Sequence, residues 1–410
     1  MLALSVVAQD ESPQTQPPRS PRHGNGGPGN YTIAQATSDR AQLNTIAFDG
    51  LAFLTGGFNE DTFLPPGKIS DFFGFQNMRD VDGAAMGHNT DFLTRIANNT
   101  LRILNADQKG ELVELGKAQA PQISDLALRR LPLIQAFCRN LAGDFPAGSQ
   151  GLNREAVMKY TSGIFAASGE LAYQRAVVYG KIVSSLTDAQ KAEFAKLKFG
   201  DSRTWPDVPE AFDKRTVSHP VHVAMMTYAS EFFSWYAGSV EADTYFCPEG
   251  HGTYFGSFYM KDAPAVHQQN YSISTALTGD SGEAFLAALN LAQREQVTRL
   301  VELQRQDLQG IVATRRSIAT ELRQFMSGSS ANKDKVLKLC RHYGELDGEL
   351  SYHYATHFAE VNKTLTVEQR ATLKKLRGIE GFSAKSPFVY ADPISSPIIP
   401  NTDFLFVPGT

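Results

Sequence analysis

The chain has 410 residues, of which 42% are hydrophobic, and its formal net charge is −4 at pH 7. This length and composition allow a large buried core and two or three domains. The slightly negative charge excludes the basic surface excess that is typical of proteins that bind nucleic acid. The sequence has no apolar run of the roughly 18 residues that a membrane-spanning helix needs, so it predicts no transmembrane segment.

The N-terminus begins with a short apolar stretch, Met1 to Gln9, that stops abruptly. This stretch resembles the end of a secretory signal with a small-residue cleavage site, although the positively charged start is missing. We therefore predict a periplasmic or secreted protein; the alternative is a frayed apolar terminus. Residues 10–30 are almost devoid of apolar side chains and predict a disordered linker. Residues 1–30 are thus interpreted as an export-signal remnant with its linker.

The chain contains an internal repeat. Segment 61–80 returns at 243–262, with an offset of 182 residues (243 − 61), and segment 169–173 returns at 348–352, with an offset of 179 (348 − 169). A repeat of this length is too long for a solenoid unit, so each copy is expected to carry its own helices. We call residues 31–204 the first repeat and residues 205–382 the second repeat.

Apolar residues spaced three or four apart predict helices through most of both repeats. In chain order, the predicted helices are one that ends at Gly56-Gly57, one that begins near Thr90, and those at 153–185, 187–199, 219–238, 290–326, 332–363 and 366–377. The predicted fold class is all-α: two homologous helical bundles packed as a pseudo-twofold pair, with irregular loops rich in aromatic residues, Pro and Gly. Residues 383–410 predict an extended tail.

Four short motifs share a leucine, a capping residue and a glutamine at the third helical position. They are Leu104-Asn105-Ala106-Asp107-Gln108, Leu186-Thr187-Asp188-Ala189-Gln190, Leu289-Asn290-Leu291-Ala292-Gln293 and Leu365-Thr366-Val367-Glu368-Gln369. In such a motif the leucine packs back as a hydrophobic staple, while the cap and the glutamine exchange hydrogen bonds. The motifs resemble the LTxxQ motif of the Spy/CpxP family of periplasmic stress proteins, which carry two per chain.

The resemblance covers the motif helices of both repeats and implies an all-helical exported protein in tandem duplicate. Proteins of that family bind unfolded clients on a concave helical surface or sense metal stress. The resemblance therefore implies a non-enzymatic binding protein of the cell envelope, chaperone-like or responsive to metal, with unfolded or envelope proteins as its clients.

The best candidate metal site lies on the predicted helix 332–363. Glu349, His353 and His357 are four residues apart, and Glu360 follows three residues later. Side chains at this spacing lie along one side of a helix. Two imidazoles at this spacing can chelate one divalent ion, with a carboxylate completing the set. The alternative is that these residues form a polar edge of a buried helix.

The internal repeat restricts this site to the second repeat. The first repeat has the same glutamate, as Glu170, but it has Gln174 and Val178 at the positions of the two histidines.

Two loops offer weaker candidate sites. Cys247 and His251 lie four residues apart in a glycine-rich loop and are candidate ligands for a metal or haem; the alternative is a structural loop with a free thiol. Asp80, Asp82 and His88 place oxygen and nitrogen ligands close together, but their loop lacks the glycine position of an EF-hand. A helix-capping role for Asp80 is the alternative there.

No GxSxG, Walker-loop, Glu-x-x-His or His-Glu-x-x-His pattern occurs in the chain. The sequence therefore predicts a binding protein without catalytic residues and without an obligatory cofactor. The alternative is a metal- or haem-dependent enzyme, or a metal-binding protein, centred in the second repeat. A third hypothesis is a structural component of the envelope.

Overall fold

The computed structural model describes residues 37–55, 91–129, 131–198, 204–240 and 282–377, with parts of the C-terminal tail (388–389, 392–393, 398–399 and 401–407). The described chain is all-α, as predicted, apart from short 3₁₀ turns and a two-residue antiparallel ladder of β1 (Phe388–Val389) and β2 (Asp392–Pro393). The predictions for residues 1–30, the repeated segments 61–80 and 243–262, and the candidate ligands Asp80, Asp82, His88, Cys247 and His251 lie outside the described residues.

The described helices follow the predicted order. Those of the first repeat are α1 (Asp39–Thr55), α2 (Asp91–Ile103), α3 (Ala106–Arg129), α4 (Leu131–Ala142), α5 (Arg154–Ser185) and α6 (Asp188–Ala195). Those of the second repeat are α7 (His219–Ala237), α8 (Gly282–Ala288), α9 (Leu291–Leu303), α10 (Arg305–Leu322), α11 (Lys333–Thr364) and α12 (Val367–Arg377). The predicted helix 290–326 is interrupted at Gln304 and ends in a 3₁₀ turn, Arg323–Ser327.

Among the described helices, the antiparallel pair α5 and α11 makes the most extensive contact. Its contacts come in equivalent pairs. Gly169 faces Leu337 and Cys340, and its counterpart Gly348 faces Met158 and Thr161. Lys333 pairs with Glu170, and Arg154 pairs with Glu349 in the same way. The counterparts in these pairs lie 179 residues apart (333 − 154). The two central helices therefore contact each other reciprocally, while the twofold packing of the complete repeats stays a prediction.

The first helix of each repeat packs on helices of the other repeat. Helix α1 contacts α8, α9 and α12, and the ring centroids of Phe53 and Phe358 lie 5.7 Å apart. Helix α7 contacts α2 and α3, and the Tyr228 hydroxyl donates to Gln119 at 2.7 Å. The predicted division at residue 204 is therefore a division of the sequence, whereas in space the helices of the two repeats interleave.

The four leucine-cap-glutamine motifs have the local structure that the sequence predicted. Their leucines, Leu104, Leu186, Leu289 and Leu365, are at most 8% exposed. In each motif the glutamine backbone N–H donates to the cap side chain, and the cap backbone N–H donates to the side-chain Oε1 of the glutamine.

The glutamine side chains also join the motifs in pairs. Gln190 Nε2 donates to Gln108 Oε1 at 2.7 Å and to the Ile103 carbonyl at 2.9 Å. In the second repeat, Gln369 Nε2 donates to Gln293 Oε1 at 2.8 Å and to the Ala288 carbonyl at 3.0 Å. The motif that carries the family resemblance thus fastens the start of one helix to the start of another.

Replacing a capping residue tests this local structure. Thr187→Ala is expected to lower the free energy of unfolding by about 1 kcal/mol, because it removes the acceptor for the Gln190 N–H. Thr187→Asn, which installs the cap of two sister motifs, is expected to retain most of the stability. Urea denaturation followed by circular dichroism measures both, and equal losses would contradict a capping role.

The repeats differ after helix α4. Nine residues (144–152) lead from Gly143 to the α5 cap Asn153, whereas three residues (329–331) lead from Gly328 to the α11 cap Asn332. The longer loop, the α11 surface and Phe406 line a cavity of about 370 Å³. The C-terminal tail packs beside this cavity, where the Asn153 N–H donates to the Leu405 carbonyl at 2.8 Å. The tail was predicted to be extended, but Asp403–Leu405 forms a 3₁₀ turn.

Candidate metal centre

Three side chains with metal-ligating chemistry converge between α10 and α11. They are Asp307 on α10 and Glu349 and His353 on α11, and one ligand atom from each lies within 4.8 Å of the other two. Glu349 Oε1 and His353 Nε2 are 3.7 Å apart. Ligands that share a zinc-sized ion lie about 3 to 4 Å from one another, so small side-chain rotations would complete the geometry.

The local sequence explains this convergence. Glu349 and His353 are four residues apart on one helix and therefore project from adjacent turns of the same side. Asp307 comes from the neighbouring helix, where Gly310 follows it by about one turn. A Cβ atom on Gly310 would lie 3.0 Å from Leu346 Cδ1, so the glycine permits a close approach of α10 to α11 beside the site.

Asp307 as a whole residue is 9% exposed. Among the described residues its carboxylate accepts no hydrogen bond and forms no ion pair. Burial and the nearby Glu349 carboxylate raise the pKa of Asp307 to about 6, against a smaller opposing effect of Arg154. Ionisation of Asp307 therefore costs more free energy here than in water, and a cation in the site would lower that cost.

The His353 imidazole is suited to ligation near neutral pH. Burial is the main cause that lowers its pKa below the usual value, and His357 and Arg154 act in the same direction, against Glu349. A lowered pKa favours the neutral ring, which is the form that binds a metal.

The structure brings together two of the four residues predicted for this site and adds Asp307. His357 is directed elsewhere: its Nδ1 lies 2.9 Å from the His353 carbonyl of its own helix. Glu360 is exposed and pairs with Lys363 at 2.6 Å. Neither residue belongs to the three-residue group. The predicted cofactor pair Cys247 and His251 lies outside the described residues.

The first repeat contains an equivalent cluster built with amides. Gln174 Nε2 donates to Gln122 Oε1 and to Glu170 Oε1, both at 3.2 Å. Gln122 occupies the position of Asp307, because each lies 17 residues after the capping asparagine of its motif (122 − 105 and 307 − 290). The same scaffold thus places three polar side chains together in both repeats, and only the second repeat supplies Asp and His there.

The sequence alone carries no signal that identifies Asp307 as a partner of Glu349. The repeat predicts which residue faces Glu349 only once the amide cluster of the first repeat is known, because the two helices are joined by a tertiary contact.

Comparisons with protein-family models, with curated proteins and with solved structures find no match to this chain. Membership of the Spy/CpxP family therefore stays a prediction. Among the described helices, none combines the length and the apolar character required to cross a bilayer.

Proposed function

We propose that this protein binds one divalent transition-metal ion through Asp307, Glu349 and His353. The observation that carries the proposal is the placement of Asp307, a largely buried residue whose carboxylate lies beside a second carboxylate and an imidazole. Two carboxylates that are held close together repel each other, and a bound cation would relieve that repulsion.

The donor set favours a particular class of metal. Imidazole nitrogen with two carboxylate oxygens suits Zn²⁺, Fe²⁺, Mn²⁺ or Co²⁺ better than Ca²⁺ or Mg²⁺, which prefer oxygen ligands alone. Three protein ligands leave at least one coordination position for water. Catalytic zinc sites have this arrangement, which is the observation that favours a metal-dependent enzyme as the second candidate function.

The chaperone-like role implied by the Spy/CpxP resemblance stays a prediction, as does location in the periplasm or outside the cell. The motifs that carry that resemblance are used for helix capping and for hydrogen bonds to each other. The observation that supports a stress role is therefore the candidate metal site. Suppression of aggregation of an unfolded client by the purified protein would test the chaperone-like role directly.

Metal binding is tested by calorimetric titration of the chelator-treated full chain with Zn²⁺, Mn²⁺ and Co²⁺. We expect one equivalent to bind wild-type protein, and His353→Gln to weaken binding at least about tenfold, because it removes the nitrogen ligand. His353→Gln installs the amide that the first repeat carries, so it is a conservative change for folding.

The first repeat supplies a gain-of-function test. Gln122→Asp combined with Gln174→His would reproduce the Asp-Glu-His set around Glu170, and we expect this variant to bind a second equivalent. Wild-type protein that binds none of the three metals, or binding that is unchanged in His353→Gln, would contradict the proposal.

A further inference from the structure

We propose that Arg154 competes with the metal ion for the carboxylate of Glu349, so that the protein contains its own competitor for the site. This inference rests on the proposed metal-binding function and adds a regulatory residue to it.

The geometry places the arginine at the candidate centre. Arg154 Nη2 contacts Glu349 Oε1, the same oxygen that lies 3.7 Å from His353 Nε2. The Arg154 side chain is half exposed, whereas the Glu349 side chain is 16% exposed. The guanidinium therefore reaches a shielded carboxylate from the solvent side of the site.

The position of Arg154 is fixed by its surroundings. It is the first residue of α5 and follows the cap Asn153, whose side chain accepts from the Ala156 N–H at 2.9 Å. The Asn153 N–H donates to the Leu405 carbonyl of the C-terminal tail at 2.8 Å. The backbone at the start of α5 is thus held on both sides, which places the base of the Arg154 side chain next to α11.

Charge sets Arg154 and a bound metal ion in competition for the Glu349 carboxylate. A guanidinium stays protonated at all physiological pH values and donates to carboxylate oxygens with several N–H groups. A metal ion bound to Glu349 needs electron pairs of the same carboxylate and would repel the neighbouring positive charge. Binding therefore requires the Arg154–Glu349 pair to loosen, and the apparent affinity includes the free energy of that step.

The equivalent ion pair provides a matched control. Lys333, the first residue of α11, pairs with Glu170 on α5 at 2.7 Å. The neighbours of Glu170 are Gln122 and Gln174, which are not metal ligands of the same kind. Of the two equivalent ion pairs, Arg154–Glu349 therefore involves a proposed metal ligand, whereas Lys333–Glu170 does not.

The test compares Zn²⁺ affinity, measured by calorimetry, in wild-type protein, Arg154→Gln, Arg154→Lys and Lys333→Gln. We expect Arg154→Gln to tighten binding by about three- to thirtyfold, because a half-exposed ion pair and a like-charge repulsion both disappear. Lys333→Gln should leave the affinity unchanged, and Arg154→Lys, which keeps the charge, should lie close to wild type.

The sign of the change separates competition from a merely structural role. If Arg154 only held Glu349 in place, Arg154→Gln would bind Zn²⁺ more weakly than wild type, and that result overturns the inference while the metal site stands. Unchanged affinity in Arg154→Gln also overturns it. Absence of binding in all four proteins overturns the proposed function itself. Thermal unfolding in the presence of EDTA establishes that the variants are folded.

Discussion

Gly344→Ala is expected to destabilise the protein by about 2 to 3 kcal/mol. A Cβ atom at this position would lie 2.7 Å from both Ser162 Cα and the Thr161 carbonyl oxygen, and 2.8 Å from Phe165 Cβ. These atoms belong to the α5 backbone or are attached directly to it, so no side-chain rotation can make room. The two central helices would have to move apart along their whole contact.

Gly163→Ala is the matched control for this prediction. Gly163 is an exposed glycine in the interior of α5, and a Cβ atom there would meet nothing within 4 Å. The same substitution should therefore stabilise the protein by about 0.5 to 1 kcal/mol, because alanine is the better helix former. Urea denaturation of both variants measures the difference, and two shifts of the same sign would argue against close packing of α5 on α11.

Asp307→Asn is expected to stabilise the metal-free protein by about 1 to 2 kcal/mol at pH 8 and hardly at all near pH 4. The carboxyl has a pKa of about 6 in the folded protein, compared with an ordinary value of 3.8 for an aspartate. The folded state therefore binds more protons than the unfolded state between these two values, and stability falls as the pH rises through them. Asparagine does not ionise, so the Asp307→Asn variant does not lose stability for this reason as the pH rises.

The measurement is the free energy of unfolding of wild-type protein and Asp307→Asn in EDTA at several pH values. Glu360→Gln, which removes one exposed negative charge from α11, controls for the change in net charge. Excess Zn²⁺ should reverse the order at pH 8, because only the wild-type site keeps its full ligand set. A stability difference that does not depend on pH would show that the Asp307 carboxyl is not perturbed by folding.

Local patterns in the sequence were sufficient to predict the fold class and most helices. The helix 153–185 was predicted from its apolar spacing and is observed as Arg154–Ser185, with Asn153 as its cap. The capping motifs were predicted equally well, because a cap, a staple and a glutamine at the third position act within one turn. Glu349 and His353 were predicted as neighbours because they share one helix.

Features that depend on contacts between distant segments were not predictable in this way. Asp307 lies on a different helix from Glu349, so no spacing in the sequence links them. His357 had the right spacing for a ligand, but its Nδ1 is engaged by the backbone of its own helix. The repeat showed which segments are alike, yet it did not show that α1 and α7 pack on each other's repeats.

The exchange of first helices also constrains how the chain can fold while it is being synthesised. Helix α1 leaves the ribosome early, but Phe53 packs on Phe358, which follows 305 residues later (358 − 53). Apolar side chains of α1 such as Ile46 and Leu51, which are fully buried in the folded protein, lack that surface until the second repeat has been synthesised. Such delayed contacts slow folding and prolong the exposure of aggregation-prone surface in the nascent chain.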